Sequence, residues 1–288
     1  MTYNIIVLAK QVPDTHHVGA DAMTPEGTIN RAALPAVFNP DDLCALEQAL
    51  QIKDKHPQST ITIITMGLPR ATEILREGLY RGADRGILLS DKTLGGADTL
   101  ATSYALSRAI ARTGAFDLIL CGQQAIDGDT AQVGPQVAQQ LAVPQVTGAL
   151  QIQSITDKTL RIRRVIDGGE ELVEAPLPCL ITVSGQAKAC RPRDVRLMMK
   201  YKHAALESEL AASPYAERLQ DRPWLRLTLW NAEDIAADKQ CCGMAGSPTK
   251  VKCVENICFK AKASQVMDDT DEAIESLVCQ LIANHNIG

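Results

Sequence analysis

Four short apolar runs recur through the first half of this chain, with helix-like segments between them. They are IIVLA (5–9), TITIITMG (60–67), RGILLS (85–90) and FDLILCG (116–122). Each is apolar at nearly every position, the pattern of a strand covered on both faces. Between them lie NPDDLCALEQALQIKDKH (39–56), ATEILREGLYRGA (71–83) and ADTLATSYALSRAIART (97–113). The first opens as a helix should: Asn39 can cap, Pro40 takes the first helical position, and Asp41 and Asp42 complement the dipole. This βαβα order predicts an α/β fold, a doubly wound and mostly parallel sheet with helices on both faces. Ligands of such sheets bind beyond the carboxyl ends of the strands.

The loop that leaves the fourth run, CGQQAIDGDTAQVGPQVAQQLAVPQ (121–145), lies at that end. Gly122, Gly128 and Gly134 permit sharp turns and close approach. Asp129 or Thr130 can cap a helix whose apolar face reads Val133, Val137, Leu141. A strand running into such a helix start suits phosphate, through free N–H groups and the positive dipole end. An ordinary connecting loop has the same features, so this stretch alone leaves both readings open.

After residue 145 the texture changes. ALQIQSITDKTLRIRRVIDGGEELVEA alternates polar and apolar residues around turns at 157–158 and 167–169, which predicts an added antiparallel meander. PCLITVS (178–184) rejoins the core, and RPRDVRLMMKYKHAALES (191–208) is basic and helical from Asp194. The last 80 or so residues show little periodicity before a short helix, TDEAIESLVCQLIAN (270–284). Such a tail makes no core of its own and is expected to wrap its own domain or a partner.

Composition excludes several classes. A net charge of −5 without a basic block argues against nucleic acid, and 3% aromatic residues leave no base-stacking platform. No run approaches the length of a membrane span, and MTYNIIVLAK shows no cleavable signal pattern, so a soluble cytoplasmic protein is expected. Nine cysteines without a secretion signal read as reduced thiols. Cys241, Cys242, Cys253 and Cys258 have neither CxxC spacing nor a nearby histidine, so no metal is assigned. The dinucleotide fingerprint is missing after the first strand, and GMAGSPTK (243–250) lacks the spacing and preceding strand of a Walker loop.

Beyond chemistry, the chain resembles the electron transfer flavoprotein β subunit over essentially its full length. The matching stretches are VLAKQVPDT (7–15), NPDDLCALEQAL (39–50), REGLYRGADRGILLSD (76–91), GGADT (95–99) and QAIDGDTAQVGP (124–135). The resemblance implies a Rossmann-like, adenine-nucleotide-binding α/β domain over 1–190, a partner-docking segment over 191–202 and a C-terminal arm over 203–288 that wraps an FAD-carrying α subunit. It implies a nucleotide lined by Leu8, Ala9, Asn39, Asp41, Asp42, Met66 and the run Gln123, Gln124, Ala125, Asp127, Gly128, Asp129, Thr130, Ala131, Gln132, Val133, Gly134, with Gly122 at its start. Within it Asp127 or Asp129 can accept ribose hydroxyls and Thr130 can donate to phosphate. Asp98 and Thr99, opening another helix, are expected to complete the anion site. In the docking segment Arg191, Arg193 and Arg196 would steer, while Leu197, Met198 and Met199 would anchor; Leu197 and Met198 as plain core is the competing expectation.

The family holds either AMP as a structural ligand or a second FAD that bifurcates electrons from NADH. DGDTAQVGP, with glycine at 128 where AMP-type members tend to carry an acid, looks like the FAD-holding group. That group sends one electron to ferredoxin and the other, through the α-subunit flavin, to an acyl-CoA dehydrogenase-like partner. A free-standing nucleotide-binding regulator ranks second, since it leaves the tail without purpose, and an NAD-dependent dehydrogenase third.

Overall fold

The computed structural model describes residues 1–14, 35–211, 221–249 and 266–284. The apolar runs become strands β1 (Asn4–Leu8), β4 (Thr60–Met66), β5 (Arg85–Leu89) and β6 (Leu118–Gly122). Two three-residue strands precede the first helix, β2 (Gln11–Pro13) and β3 (Ala36–Phe38), and pair only with each other. The helices are α1 (Pro40–Lys55), α2 (Thr72–Arg81), α3 (Thr99–Thr113) and α4 (Val133–Leu141). The meander forms as β7 (Gln145–Ile155), β8 (Thr159–Ile166) and β9 (Gly169–Pro176), followed by β10 (Cys179–Val183). Beyond it come α5 (Val195–Tyr201), β11 (Ala205–Leu206), α6 (Glu207–Ala211), β12 (Arg226–Trp230) and α7 (Asp271–Ala283).

Ten strands join one sheet in the order β11-β12-β5-β4-β1-β6-β10-β7-β8-β9. Pairing is parallel from β11 through to β7, and antiparallel only between β7, β8 and β9. The meander is thus continuous with the main sheet rather than a separate layer beside it. Apolar residues fill both faces: Val7, Ile63 and Leu120 join the core beneath α1 and α2, while Ile6, Ile64 and Ile119 join the one beneath α3 and α4. That two-sided burial is why these strands read as unbroken apolar runs.

The stretch after residue 203 is less irregular than its sequence suggests. Its RLTLW segment is β12, which lies parallel to β5 with Thr228 opposite Ile87. The chain divides into two units, one of residues 1–22 and 30–252 and one of 23–29 and 253–288. In the second, Thr270 caps α7, whose exposed residues include Ile274, Leu277, Val278 and Ile282. Among the described residues no helix is long and apolar enough to cross a membrane.

Candidate functional site

The sheet changes direction at β1, which has β4 on one side and β6 on the other. At such a switch point the connections leave toward opposite faces and open a crevice beyond the strand ends. A cavity of about 440 Å³ lies there, lined by residues that follow β1, β4 and β6. Its size falls within the roughly 300–1,000 Å³ of small-molecule sites.

The start of α1 builds the floor. Asp42 is buried, its Oδ1 accepting the Gly122 N–H at 2.8 Å and its Oδ2 the Lys10 N–H at 2.8 Å. One carboxyl group therefore ties the ends of β6 and β1 together. Burial pushes the Asp42 carboxyl up to about 7, against the lowering effect of those two hydrogen bonds. Contrary to expectation, Asn39 does not cap α1 with its side chain, although it holds the N-cap position. Instead its Nδ2 donates to the Gln124 carbonyl at 2.8 Å and its Oδ1 accepts the Ile126 N–H at 3.2 Å. The residue that precedes one helix thus holds the loop leading to another, 85 residues away in sequence.

Two of the loop glycines are demanded by space. A Cβ on Gly122 would lie 2.5 Å from Asp42 Oδ1 and 2.8 Å from the Asp41 carbonyl carbon. One on Gly134 would lie 2.6 Å from Thr182 Cγ2 and 2.9 Å from Cys121 Sγ. At Gly128 nothing lies within 4 Å, so that position faces open space.

The end of the loop has unusual backbone geometry. Asp129 and Ala131 have φ of 47° and 52°, a left-handed conformation costly for alanine. Gln132 follows in right-handed backbone, so successive N–H groups turn toward one concavity. Contrary to expectation, neither Asp129 nor Thr130 caps α4: the helix begins at Val133, preceded by Gln132 without a capping bond. No capping side chain among the described residues takes up its first N–H groups.

Asp98 and Thr99, at the start of α3, border the same cavity. Asp98 caps α3, accepting the Leu100 and Ala101 N–H groups at 3.0 Å each, so that helix start already has its negative charge. Thr99 Oγ1 donates to Gln132 Oε1 at 2.9 Å, joining α3 to the loop. Asp127 stands outside the cavity lining, where its two carboxylate oxygens take Lys10 Nζ at 2.6 and 2.8 Å.

Leu8, Ala9, Asp42, Met66, Asp98, Thr99 and the loop residues 122–125 and 128–134 all line the cavity. Asn39, Asp41 and Asp127 do not, although the first two act on the loop, with Asp41 3.4 Å from the Gln124 N–H. Sequence reasoning missed Lys10, Ile64, Leu94, Gly96, Ala97, Thr102, Leu106 and Cys121. Lys10 was within reach, because it follows the first strand at its carboxyl end.

In 191–202, Arg191 is held by Glu47 (2.9 Å) and Asp54 (2.7 Å), and Arg193 by Glu77 (2.7 Å). Burial alone would raise the Glu47 carboxyl, but hydrogen bonds from Arg191 hold it below its ordinary value. Arg196 is exposed and makes no side-chain bond with another described residue. Leu197 packs against the core and Met198 is half-buried, whereas Met199 and Val195 point outward, 63% and 72% exposed. Of the four cysteines weighed for a metal, Cys241 is exposed and Cys242 buried, while Cys253 and Cys258 lie outside the described residues.

A family model described as "Electron transfer flavoprotein domain" matches residues 26–213. The chain belongs to the electron transfer flavoprotein family. It is 41% identical to the Caffeyl-CoA reductase-Etf complex subunit CarD of Acetobacterium woodii, covering 98% of this chain and 99% of that protein. Against the electron transfer flavoprotein subunit beta of Clostridium acetobutylicum it is 38% identical, covering 99% and 100%. The Acryloyl-CoA reductase electron transfer subunit gamma of Anaerotignum propionicum is 41% identical, over 98% and 99%. Relatives of this flavoprotein family thus match from end to end, on the β-subunit side.

Proposed function

We propose that the chain is the β subunit of an electron-bifurcating electron transfer flavoprotein, and that its cavity holds the adenosine and phosphate portion of an FAD. The observation that carries this is the uncapped start of α4 beneath the Ala131–Gln132 turn, opening on a cavity at the sheet's switch point. Those N–H groups fit a phosphate, and the open space at Gly128 leaves room for a second one. An acid there would set a like charge beside it. AMP, the alternative, needs the same cradle and would make the subunit a simple electron shuttle.

When bound, the flavin would accept a hydride from NADH and pass electrons on singly. The chain's own residues bind and orient it. The Ala131–Gly134 backbone would take phosphate, Thr130 would donate to it, and Asp129 would accept a ribose hydroxyl. Asp42 and Asn39 fix the loop that carries them. Partners on this reading are an FAD-bearing α subunit, a ferredoxin-like low-potential carrier and an acyl-CoA dehydrogenase-like flavoenzyme. Two of the relatives are named as parts of acyl-CoA-type reductase systems, which supports the last of these.

The test is to assay the reconstituted heterodimer with NADH, ferredoxin and the acyl-CoA enzyme. Bifurcation requires that NADH oxidation reduce ferredoxin only while the acyl-CoA substrate is present. Ferredoxin-independent transfer at full rate would reduce the assignment to a shuttle.

A further inference from the structure

Residues 243–249, part of the stretch that lacks Walker spacing, lie against the wall of the cavity. Residues 241–249 run over the loop Leu94–Asp98, which supplies one wall. Contact is close enough to dictate residue type. A Cβ on Gly243 would lie 2.2 Å from the Thr93 carbonyl oxygen, and one on Gly96 would lie 2.6 Å from Met244 Cγ. Gly243 and Gly96 also have φ of 52° and 70°, so both the space and the turn call for glycine.

Hydrogen bonds complete the attachment. Ser247 is 5% exposed; its Oγ accepts the Asp98 N–H at 2.8 Å and donates to the Gly243 carbonyl at 2.6 Å. Thr249 N–H donates to Asp98 Oδ2 at 3.0 Å, while Asp98 Oδ1 caps α3. Burial would raise this carboxyl, but the N–H groups of Ala101, Thr249 and Leu100 and the Ser247 hydroxyl hold it below its ordinary value. Asp98 is thus gripped from two sides, by the helix it opens and by a strap almost 150 residues later in the chain.

We propose that Ser247 is a positioning residue for the nucleotide: through Asp98 it sets where the Gly96–Thr99 wall stands, and so how tightly the cavity closes on its ligand. This rests on the nucleotide reading above. Ser247 does not line the cavity, so it acts only through Asp98. Pro248 disfavours helical backbone at Ser247, which narrows the states over which its hydroxyl is presented. Thr99, the next residue after Asp98, carries the wall's position on to Gln132 in the phosphate loop.

Ser247→Ala, Ser247→Thr and Thr249→Pro can be compared with the native chain in the heterodimer, titrating FAD and AMP separately after the bound nucleotide is stripped. Loss of one hydrogen bond to a partly buried N–H corresponds to about a tenfold weaker Kd. Ser247→Ala should show that loss with faster ligand dissociation, and Ser247→Thr, which keeps the hydroxyl, should restore it. Thr249→Pro removes one exposed N–H and serves if Ser247→Ala does not fold; it too should weaken binding. Amide exchange at Asp98 should quicken in the variants even without ligand. Native-like affinity and Asp98 exchange in Ser247→Ala, or in Thr249→Pro if the alanine variant fails to fold, would overturn the role of the strap while leaving the nucleotide site intact. Failure of the native heterodimer to bind either nucleotide would overturn both.

Discussion

Asp42 Oδ1 lies 2.8 Å from the Gly122 nitrogen, and its other oxygen 2.8 Å from that of Lys10. The carboxyl group that ties these two strand ends is buried in the cavity floor and titrates near neutrality, up at about 7. Because its folded value stands above the unfolded one, the folded chain holds this proton where the unfolded chain releases it. Stability from this group is therefore present below about pH 4 and lost as pH rises toward about 7. The stability difference between the native chain and Asp42→Asn, followed by denaturant unfolding, should fall by up to about 1.4 kcal/mol per pH unit across that window. A difference that is flat with pH would mean Asp42 is already charged.

Gly122 and Gly128 should respond oppositely to the same substitution. Gly122→Ala meets backbone and a buried carboxyl at under 3 Å and should cost about 1–3 kcal/mol. Gly128→Ala meets nothing within 4 Å and should leave the melting temperature within a degree or two. Equal effects would show that the loop adapts.

Gly128→Asp should fold normally, since the position is open, yet bind FAD about tenfold more weakly while AMP is affected less. Isothermal titration with each nucleotide checks the ratio. Equal weakening of both would remove the argument for a second phosphate there.

On the reading that 191–202 docks a dehydrogenase, Arg196→Ala should slow transfer at low salt and leave thermal stability unchanged, because its exposed side chain bonds no other described residue. Arg191→Ala should instead lower stability by about 3–5 kcal/mol, leaving Glu47 buried without its main partner. Stopped-flow kinetics across a salt series, with melting curves, separates the two. A slower Arg196→Ala rate that is independent of salt would rule out steering.

The strands that build the crevice were legible because both their faces are buried, so every residue of IIVLA and of LIL (118–120) advertises its place. Helix starts were legible where a local rule applies, as at Pro40 and Thr270. The loop's place at the strand ends was legible, but its bonding was not. Asn39 obeys the capping statistics in position and then spends its amide on Gln124 and Ile126, a partnership set by tertiary distance alone. Asp129 and Thr130 have the chemistry of a cap, but positive φ at 129 and 131 carries the chain past them before α4 begins. RLTLW was passed over because five residues, flanked on the outer side only by the two-residue β11, give too short an alternation. The strap was invisible for the same reason as Asn39: Ser247 and Asp98 meet only in the fold.

The central claim is that the cavity at the head of α4 holds FAD. Acid extraction of the purified heterodimer, with the released nucleotides counted by chromatography, tests it most directly. Two FAD and no AMP per heterodimer is the result expected. One FAD with one AMP would contradict it and leave a shuttle whose β site is structural.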